Sequence, residues 1–495
     1  MKKVVIIGSG LGGLSSGVIL AKNGYKVTVV EQGHQIGGCL QCFSRHGARF
    51  ETGMHFIGSA DPGQVLDRMM RYLEIDDRVT LARLDTDGYN IISLDGERFA
   101  IANGREQFVD RLSAYFPSQR DNLNRYYDVV ESVSAASALH TLKTDGNNAV
   151  TLRYQMEPID AVIDSIIDDR MLRDVLVGDL PLYAAERGKT PFSVHAFIMD
   201  FYNRSAFRVA GGSDGIAKAL AAVLSQHGGE VLTDSPATAI VCDSSHATGV
   251  EIGGSQLLDA DYVISAVHPM RTLELLGDTH LIRPAFRRRI QSMPQTVGAF
   301  SVYLRFKDGA VPYMNHNFFG YNQPSPWGCG DYDDSSWPKG YLYMHTCDAV
   351  GQKYARSGVI LTYMHIEELQ QWRGTAVGRR GDGYRAFVDE RARRVIASLE
   401  RQMPGITDSI EQYYVASPLT YESYTGSEGG SLYGVAKDVA LGAACRVPHR
   451  MRVPNVLQAG QNINSHGMLG VVVGSIVACG ELLTPQYLYQ QMLEK

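Results

Sequence analysis

The sequence has no run of 18 or more uninterrupted apolar residues, and a bilayer-spanning helix needs about 20. It has no basic excess: 47 Lys and Arg against 53 Asp and Glu leave a net charge of −6, and the pI is near 6.2. That balance offers no electrostatic footprint for nucleic acid. Cysteines are few and odd in number, seven scattered along 495 residues, which suits a reducing compartment rather than a disulfide framework. Only Cys39 and Cys42 stand at C-x-x-C spacing. A zinc site needs a second pair and none is present, so no metal is expected. The two cysteines read as small residues beside a ligand, with a redox or ligand-linking role as the alternative. There is no internal repeat, no low-complexity tract, and no room before the first strand for a signal peptide. These absences point to a cytoplasmic protein that touches a membrane at most peripherally. The length suffices for a large core and two domains.

What is present is concentrated in the first 58 residues. Val4 to Ile7 is a short apolar run that suits a buried parallel strand. Gly8-Ser9-Gly10-Leu11-Gly12-Gly13 follows, a Gly-x-Gly-x-x-Gly turn whose glycines let backbone N–H groups approach a pyrophosphate. A helix through Leu14, Val18 and Leu20 is expected to stop at Asn23-Gly24, its N-terminal dipole aimed at the phosphates. Tyr25 to Val30 is the second strand. Glu31 and Gln32 come next, and Glu31 lies 23 residues after Gly8, where a carboxylate accepts both hydroxyls of a ribose. The acid favours an unphosphorylated ribose, which leaves FAD and NAD open.

Two further elements separate them. Gly37-Gly38-Cys39 is a glycine pair shortly after the ribose acid, followed by Gly53-Met54-His55-Phe56-Ile57-Gly58. Near the other end, Gly460-Gln461-Asn462 opens a polar turn, and Gly467-Met468-Leu469-Gly470 starts a glycine-punctuated helix. The trio resembles the FAD cradle of the amine oxidase and phytoene desaturase superfamily. Departures are Cys39 in place of an arginine and Gln461 in place of an acid. Three more stretches resemble the retinol saturases in particular: the segment around His55, Pro191 to His195 with Tyr202 and Gly211-Gly212, and Pro418 to Gly426 with Tyr433-Gly434. The resemblance covers nearly the whole chain. It implies one non-covalent FAD touching the first turn, Glu31, Gln32, Gly37 to Cys39, Met54, His55, Ala239, Gly460, Gln461, Met468 and Leu469.

The expected fold class is α/β: a discontinuous Rossmann-like FAD-binding domain and a second, α+β substrate domain. The FAD-binding domain takes residues 1–75, 205–285 and 445–495; the substrate domain takes 76–204 and 286–444. Residues 105 to 200 read as mostly helical, with Phe108, Leu112, Tyr115 and Phe116 on one face and Val162, Ile163, Ile166 and Ile167 on another. Alternation at 298–305, 341–344 and 359–365 reads as strands, and a helix runs from about Gly383 to Met403.

The resemblance implies hydride exchange between the flavin and a carbon–carbon bond of a polyene, retinoid or other isoprenoid-like lipid, whether by saturation, desaturation or isomerisation. A long apolar substrate is expected in a tunnel between the domains, entering near an apolar surface patch. Saturation also needs a proton donor. His466, His55 and Tyr433 are the candidates, each with a purely structural hydrogen-bonding role beside it. His195 has a helical setting and reads as a buried, satisfied histidine. No second Gly-x-Gly-x-x-Gly appears, so the electron donor or acceptor is an outside partner, and the oligomeric state is open. Competing readings are a flavin amine oxidase or porphyrinogen oxidase, and a non-catalytic prenyl-lipid binder of the GDP-dissociation-inhibitor type.

Overall fold

The computed structural model describes residues 1–143 and 149–495. The apolar run at the N-terminus becomes β1 (Lys3–Ile7), followed by α1 (Leu11–Lys22) and β2 (Lys26–Val30). Three later segments join them: β3 (Glu230–Leu232), β4 (Tyr262–Ser265) and β5 (Val456–Gln458). The sheet order is β3-β2-β1-β4-β5, and every pairing is parallel. Such a sheet is covered on both faces, which explains the unbroken apolar run. Val4 and Ile6 face one core, with Leu14, Val18, Leu220 and Val472; Val5 and Ile7 face another, with Val250, Val263 and Phe286. Asn23 and Gly24 end α1 as expected, with Gly24 at φ +80°.

The last helix of the cradle, α2 (Gly467–Leu483), packs lengthwise on α1. Small polar residues let the two approach. Ser475 Oγ donates to the Gly12 carbonyl at 2.9 Å and lies 2.8 Å from Ser15 Oγ.

The second large sheet has seven strands. Their order is 410–416, 298–306, 357–364, 340–345, 317–321, 90–94 and 97–101, antiparallel except for the pairing of 317–321 with 90–94. Alternate side chains of its strands serve two layers. Phe300, Val302 and Leu304 pack against the helix Gly381–Gln402 through Ala392, Val395 and Leu399. Tyr303, Phe319 and Val359 turn to the opposite face and meet the helices between 105 and 204. Those helices are as the periodicity requires, with two differences. Phe116 lies beyond the helix Arg105–Tyr115, at φ −128° and ψ 70°, because Pro117 bars the residue before it from helical geometry. Tyr115 is 41 % exposed and does not share the buried face of Phe108 and Leu112.

Candidate flavin site

The glycines of the first turn are there for backbone approach. Gly8 sits at φ +98°, and a Cβ on Gly13 would fall 1.9 Å from the Gly8 carbonyl oxygen. A Cβ on Gly10, by contrast, would meet nothing within 4 Å, so the N-terminus of α1 opens on free space, and no side chain caps it. Glu31 closes the turn from the side. Its Oε2 accepts Ser9 N–H at 3.0 Å and Ser9 Oγ–H at 2.6 Å; its Oε1 accepts Gly33 N–H at 2.9 Å. Each carboxylate oxygen keeps acceptor capacity for a ribose hydroxyl. Gly37 N–H donates to Ser9 O at 3.0 Å, and Gly38 lies against Gly10, which brings the glycine pair to the phosphate end. Gln32 is exposed, and Ala239 sits half-buried in the strand Ala237–Cys242. The residues just before that strand bond to the Glu31 loop, Ser235 N–H to Glu31 O at 2.8 Å.

The first and last motifs touch directly. A Cβ on Gly12 would come within 2.8 Å of Gly460 Cα and N, and Gly460 itself has φ +98°. Asn462 Oδ1 accepts Val435 N–H at 2.8 Å, tying the segment after Tyr433 to the same turn. His466 is the N-cap residue of α2 but its ring caps nothing, so the N–H groups at Gly467, Met468 and Leu469 face outward without a side-chain acceptor.

The ring of His466 turns instead to the segment at 180–182. Its Nε2 lies 2.9 Å from the Leu182 carbonyl oxygen; a carbonyl only accepts, so Nε2 carries the hydrogen. Burial pushes its pKa down to about 4, with the nearby Lys437 ammonium adding to the effect, so the ring is neutral at pH 7. Tyr433 stands beside it and donates its hydroxyl proton to the Pro181 carbonyl at 2.7 Å. Burial raises its pKa well above the usual phenol value. Both groups are thus neutral hydrogen-bond donors already in use. His55 is different: 8 % exposed, with no hydrogen-bond partner on either ring nitrogen.

Cys39, Tyr202, Tyr421, Tyr433 and His466 share a further property. Their surroundings shift each toward its neutral form, yet all remain accessible to solvent. Tyr433 stands close to the other four, so together they outline one partly exposed cleft. Cys39 and Cys42 are both free thiols. Cys42 is buried against Ser213, and desolvation, with Glu51 nearby, pushes its pKa up to about 11. Neither thiol is a thiolate at neutral pH. Among the described residues no group of three or more His, Cys, Asp or Glu gathers as a metal site, and no helix is long and apolar enough to cross a membrane.

A cavity of about 670 Å³ adjoins this cleft. Its inner wall includes Pro181, Val297, Tyr363 and Thr296, and Thr296 Oγ1 accepts the Tyr433 N–H at 3.0 Å. Its rim carries Glu186, Arg187, Lys189, Asp331 and Glu367, so the mouth is charged.

His195 is the satisfied core histidine of the sequence reading. It is fully buried between Tyr126 Oη at 2.6 Å and Tyr183 Oη at 2.7 Å, with its pKa pushed down to about 3 by burial. Sequence reasoning missed Glu51, Asp179, Lys437 and Tyr421. Their roles rest on contacts with residues more than a hundred positions away, or on burial, and no local spacing marks them.

The residues present fit a flavin dinucleotide: two helix N-termini without a side-chain cap, an open glycine turn with its acid Glu31, and a buried imidazole, His55, with no partner. The comparisons agree. The family model described as flavin containing amine oxidoreductase matches residues 11–478. The chain is 24% identical to human all-trans-retinol 13,14-reductase over 99% of this chain and 86% of that protein. It is 22% identical to the 4,4'-diapolycopene oxygenase of a Methylomonas species, over 95% of this chain and 96% of that one. The crystal structure of an oxidoreductase from Methanosarcina mazei superposes with a TM-score of 0.65 at 15% identity, covering 96% of this chain and 99% of that one. The chain belongs to the flavin containing amine oxidoreductase family and is an FAD-dependent oxidoreductase.

Proposed function

We propose that the enzyme exchanges hydride between FAD and a carbon–carbon bond of a polyene, retinoid or other isoprenoid-like lipid. The observation that carries this reading is similarity along 99% of the chain to a protein named for reducing all-trans-retinol. The apolar inner wall of the cavity beside Tyr433 is consistent with it, since such a substrate binds by leaving water, worth roughly 25 cal/mol per Å² of apolar area.

FAD, when bound, supplies the hydride chemistry. The chain's own residues hold, orient and exclude water. Glu31 with the N-terminus of α1 would hold the ribose and pyrophosphate; Gly460, Gln461 and the N-terminus of α2 would hold the flavin end. Tyr433 and His466, whose polar atoms are held by the Pro181 and Leu182 carbonyls, would form the partition between cleft and cavity. His55, with no hydrogen-bond partner on either ring nitrogen, is the first candidate to hand over or receive a proton.

Substrate would arrive past the rim that carries Lys189. Val439 N–H donates to Lys189 O at 2.8 Å, and Leu441, Met156 and Leu152 nearby along this surface are 41%, 61% and 53% exposed. This apolar group beside the charged rim suits peripheral contact with a lipid surface.

The test is anaerobic. Reduced enzyme is mixed with all-trans-retinol, carotenoid precursors and prenyl quinones, and flavin reoxidation and product mass are followed. A gain of two hydrogens indicates saturation; an unchanged mass with altered geometry indicates isomerisation. The reverse assay with oxidised enzyme reads desaturation. Electron exchange with amines or porphyrinogens alone would overturn the proposal.

A further inference from the structure

The loop after the strand Ala48–Glu51 brings two incompletely satisfied ionisable side chains together. Glu51 is 4 % exposed and His55 is 8 % exposed. Glu51 Oε1 accepts the Ser213 N–H at 3.0 Å. Ser213 cannot drift away: it is fully buried, and Gly212 before it has φ +99° and lies so close that a Cβ would be 2.9 Å from Cys42 Sγ. The cation on the same strand, Arg49, is engaged with Asp214. What faces the second oxygen of Glu51 is His55, whose Nδ1 is 3.8 Å from Oε2. Cys42 and Cys347 are also near the carboxylate, but burial raises both thiols and keeps them protonated, so they are weak donors at best.

A buried polar group without a partner destabilises the fold. Shortening the 3.8 Å approach by less than 1 Å makes a charge-assisted N–H···O bond, which satisfies the carboxylate and one ring nitrogen at once. The other nitrogen, Nε2, then has no partner within the described residues. A carboxylate behind an imidazole sets which nitrogen bears the hydrogen.

We infer that Glu51 is the positioning residue of His55: it keeps the ring hydrogen on Nδ1 and leaves the buried Nε2 lone pair, unpartnered among the described residues, as an acceptor. The group that meets Nε2 is then a hydrogen-bond donor, an N–H or O–H of cofactor or substrate. This deepens the role given to His55 above and rests on that reading only for what lies across from Nε2.

The experiment needs no substrate, so its failure and a failed substrate screen are separate results. FAD-loaded protein is labelled with 15N and 13C at histidine, and His55→Asn identifies the His55 signals by their loss. The expected wild-type result is the Nδ1–H tautomer. In Glu51→Gln the amide oxygen can keep the Ser213 N–H while its NH2 donates to Nδ1, so the tautomer switches to Nε2–H with the unfolding midpoint unchanged. A wild-type Nε2–H tautomer overturns the inference, as does an unaltered tautomer in a folded Glu51→Gln protein. If that variant does not fold, the wild-type tautomer decides alone.

Discussion

The rings of Tyr433 and His466 lie 4.2 Å apart, centroid to centroid, and the two side chains donate to consecutive carbonyls, Pro181 and Leu182. One turn of the helical layer is therefore gripped by two residues from the C-terminal part of the chain. Pro181 also lines the cavity of about 670 Å³, so the grip reaches the cavity wall.

Removing half of that grip has a defined cost. Tyr433→Phe leaves a carbonyl without its donor, and stability should fall by about 1–3 kcal/mol in denaturant titrations. FAD affinity should hold. Turnover should fall more than stability does, because the partition beside the reacting carbons loosens; equal activity at full FAD occupancy would show that the bond has no part in turnover.

Glu31→Ala removes the acceptor expected at the ribose and also frees Ser9 and Gly33. A loss of one or two charge-assisted hydrogen bonds, each about 1.5–3 kcal/mol, predicts a rise in the FAD dissociation constant of at least tenfold. Flavin fluorescence titration measures it.

Gly12→Ala places a methyl group 2.8 Å from the backbone of Gly460, and neither side is a movable side chain. Overpacking of this kind costs about 1–3 kcal/mol. Here it should also separate the two motifs that hold FAD, so the purified variant should be pale, with most of its loss in melting temperature not restored by added FAD.

Acid should unfold the protein through its buried histidines. His195 and His466 are held neutral, their pKa values pushed from 6.5 to about 3 and about 4 by burial. Unfolding lets them take protons below pH 6.5, so their stabilising contribution is complete above that value. It is lost as pH falls toward their folded values, at up to about 1.4 kcal/mol per pH unit for each ring. Denaturant midpoints measured from pH 7 to 5 should show the decline, and His195→Gln should flatten it.

Asp179 titrates in the opposite sense. It is 5 % exposed, and burial pushes its pKa up to about 7, so its neutral form is favoured in the fold. The stability linked to this shift is complete below pH 3.8 and is lost as pH rises through 7. Asp179→Asn mimics the neutral acid and should raise the unfolding midpoint most at pH 8, with a gain that shrinks steadily as the pH is lowered from 7 toward 3.8.

The parts of the site legible in sequence are those whose chemistry is local. Gly8, Gly10 and Gly13 are bound to a turn geometry that neighbouring residues define, and Glu31 follows by the length of one helix and one strand. The glycine-rich start of α2 is readable for the same reason. Glu51 is not, since its meaning depends on Ser213, 162 residues away. The seven-stranded sheet is similar: its strands could be marked one by one, but the parallel pairing of 317–321 with 90–94 joins segments more than 220 residues apart. Phe116 shows that even a periodic face can be cut short by a single proline.

The contact between Gly12 and Gly460 has a consequence for biosynthesis. During translation the first turn emerges early, but β5 and the helix that lies on α1 emerge only after some 450 further residues. The phosphate end of the cradle can form while the ribosome is still working; the flavin end cannot close until the last fifty residues are released. With the flavin held at Gly460 and α2 as proposed, cofactor capture is a late step, and a chain interrupted before Gly460 would keep the first glycine turn without the element that closes on it.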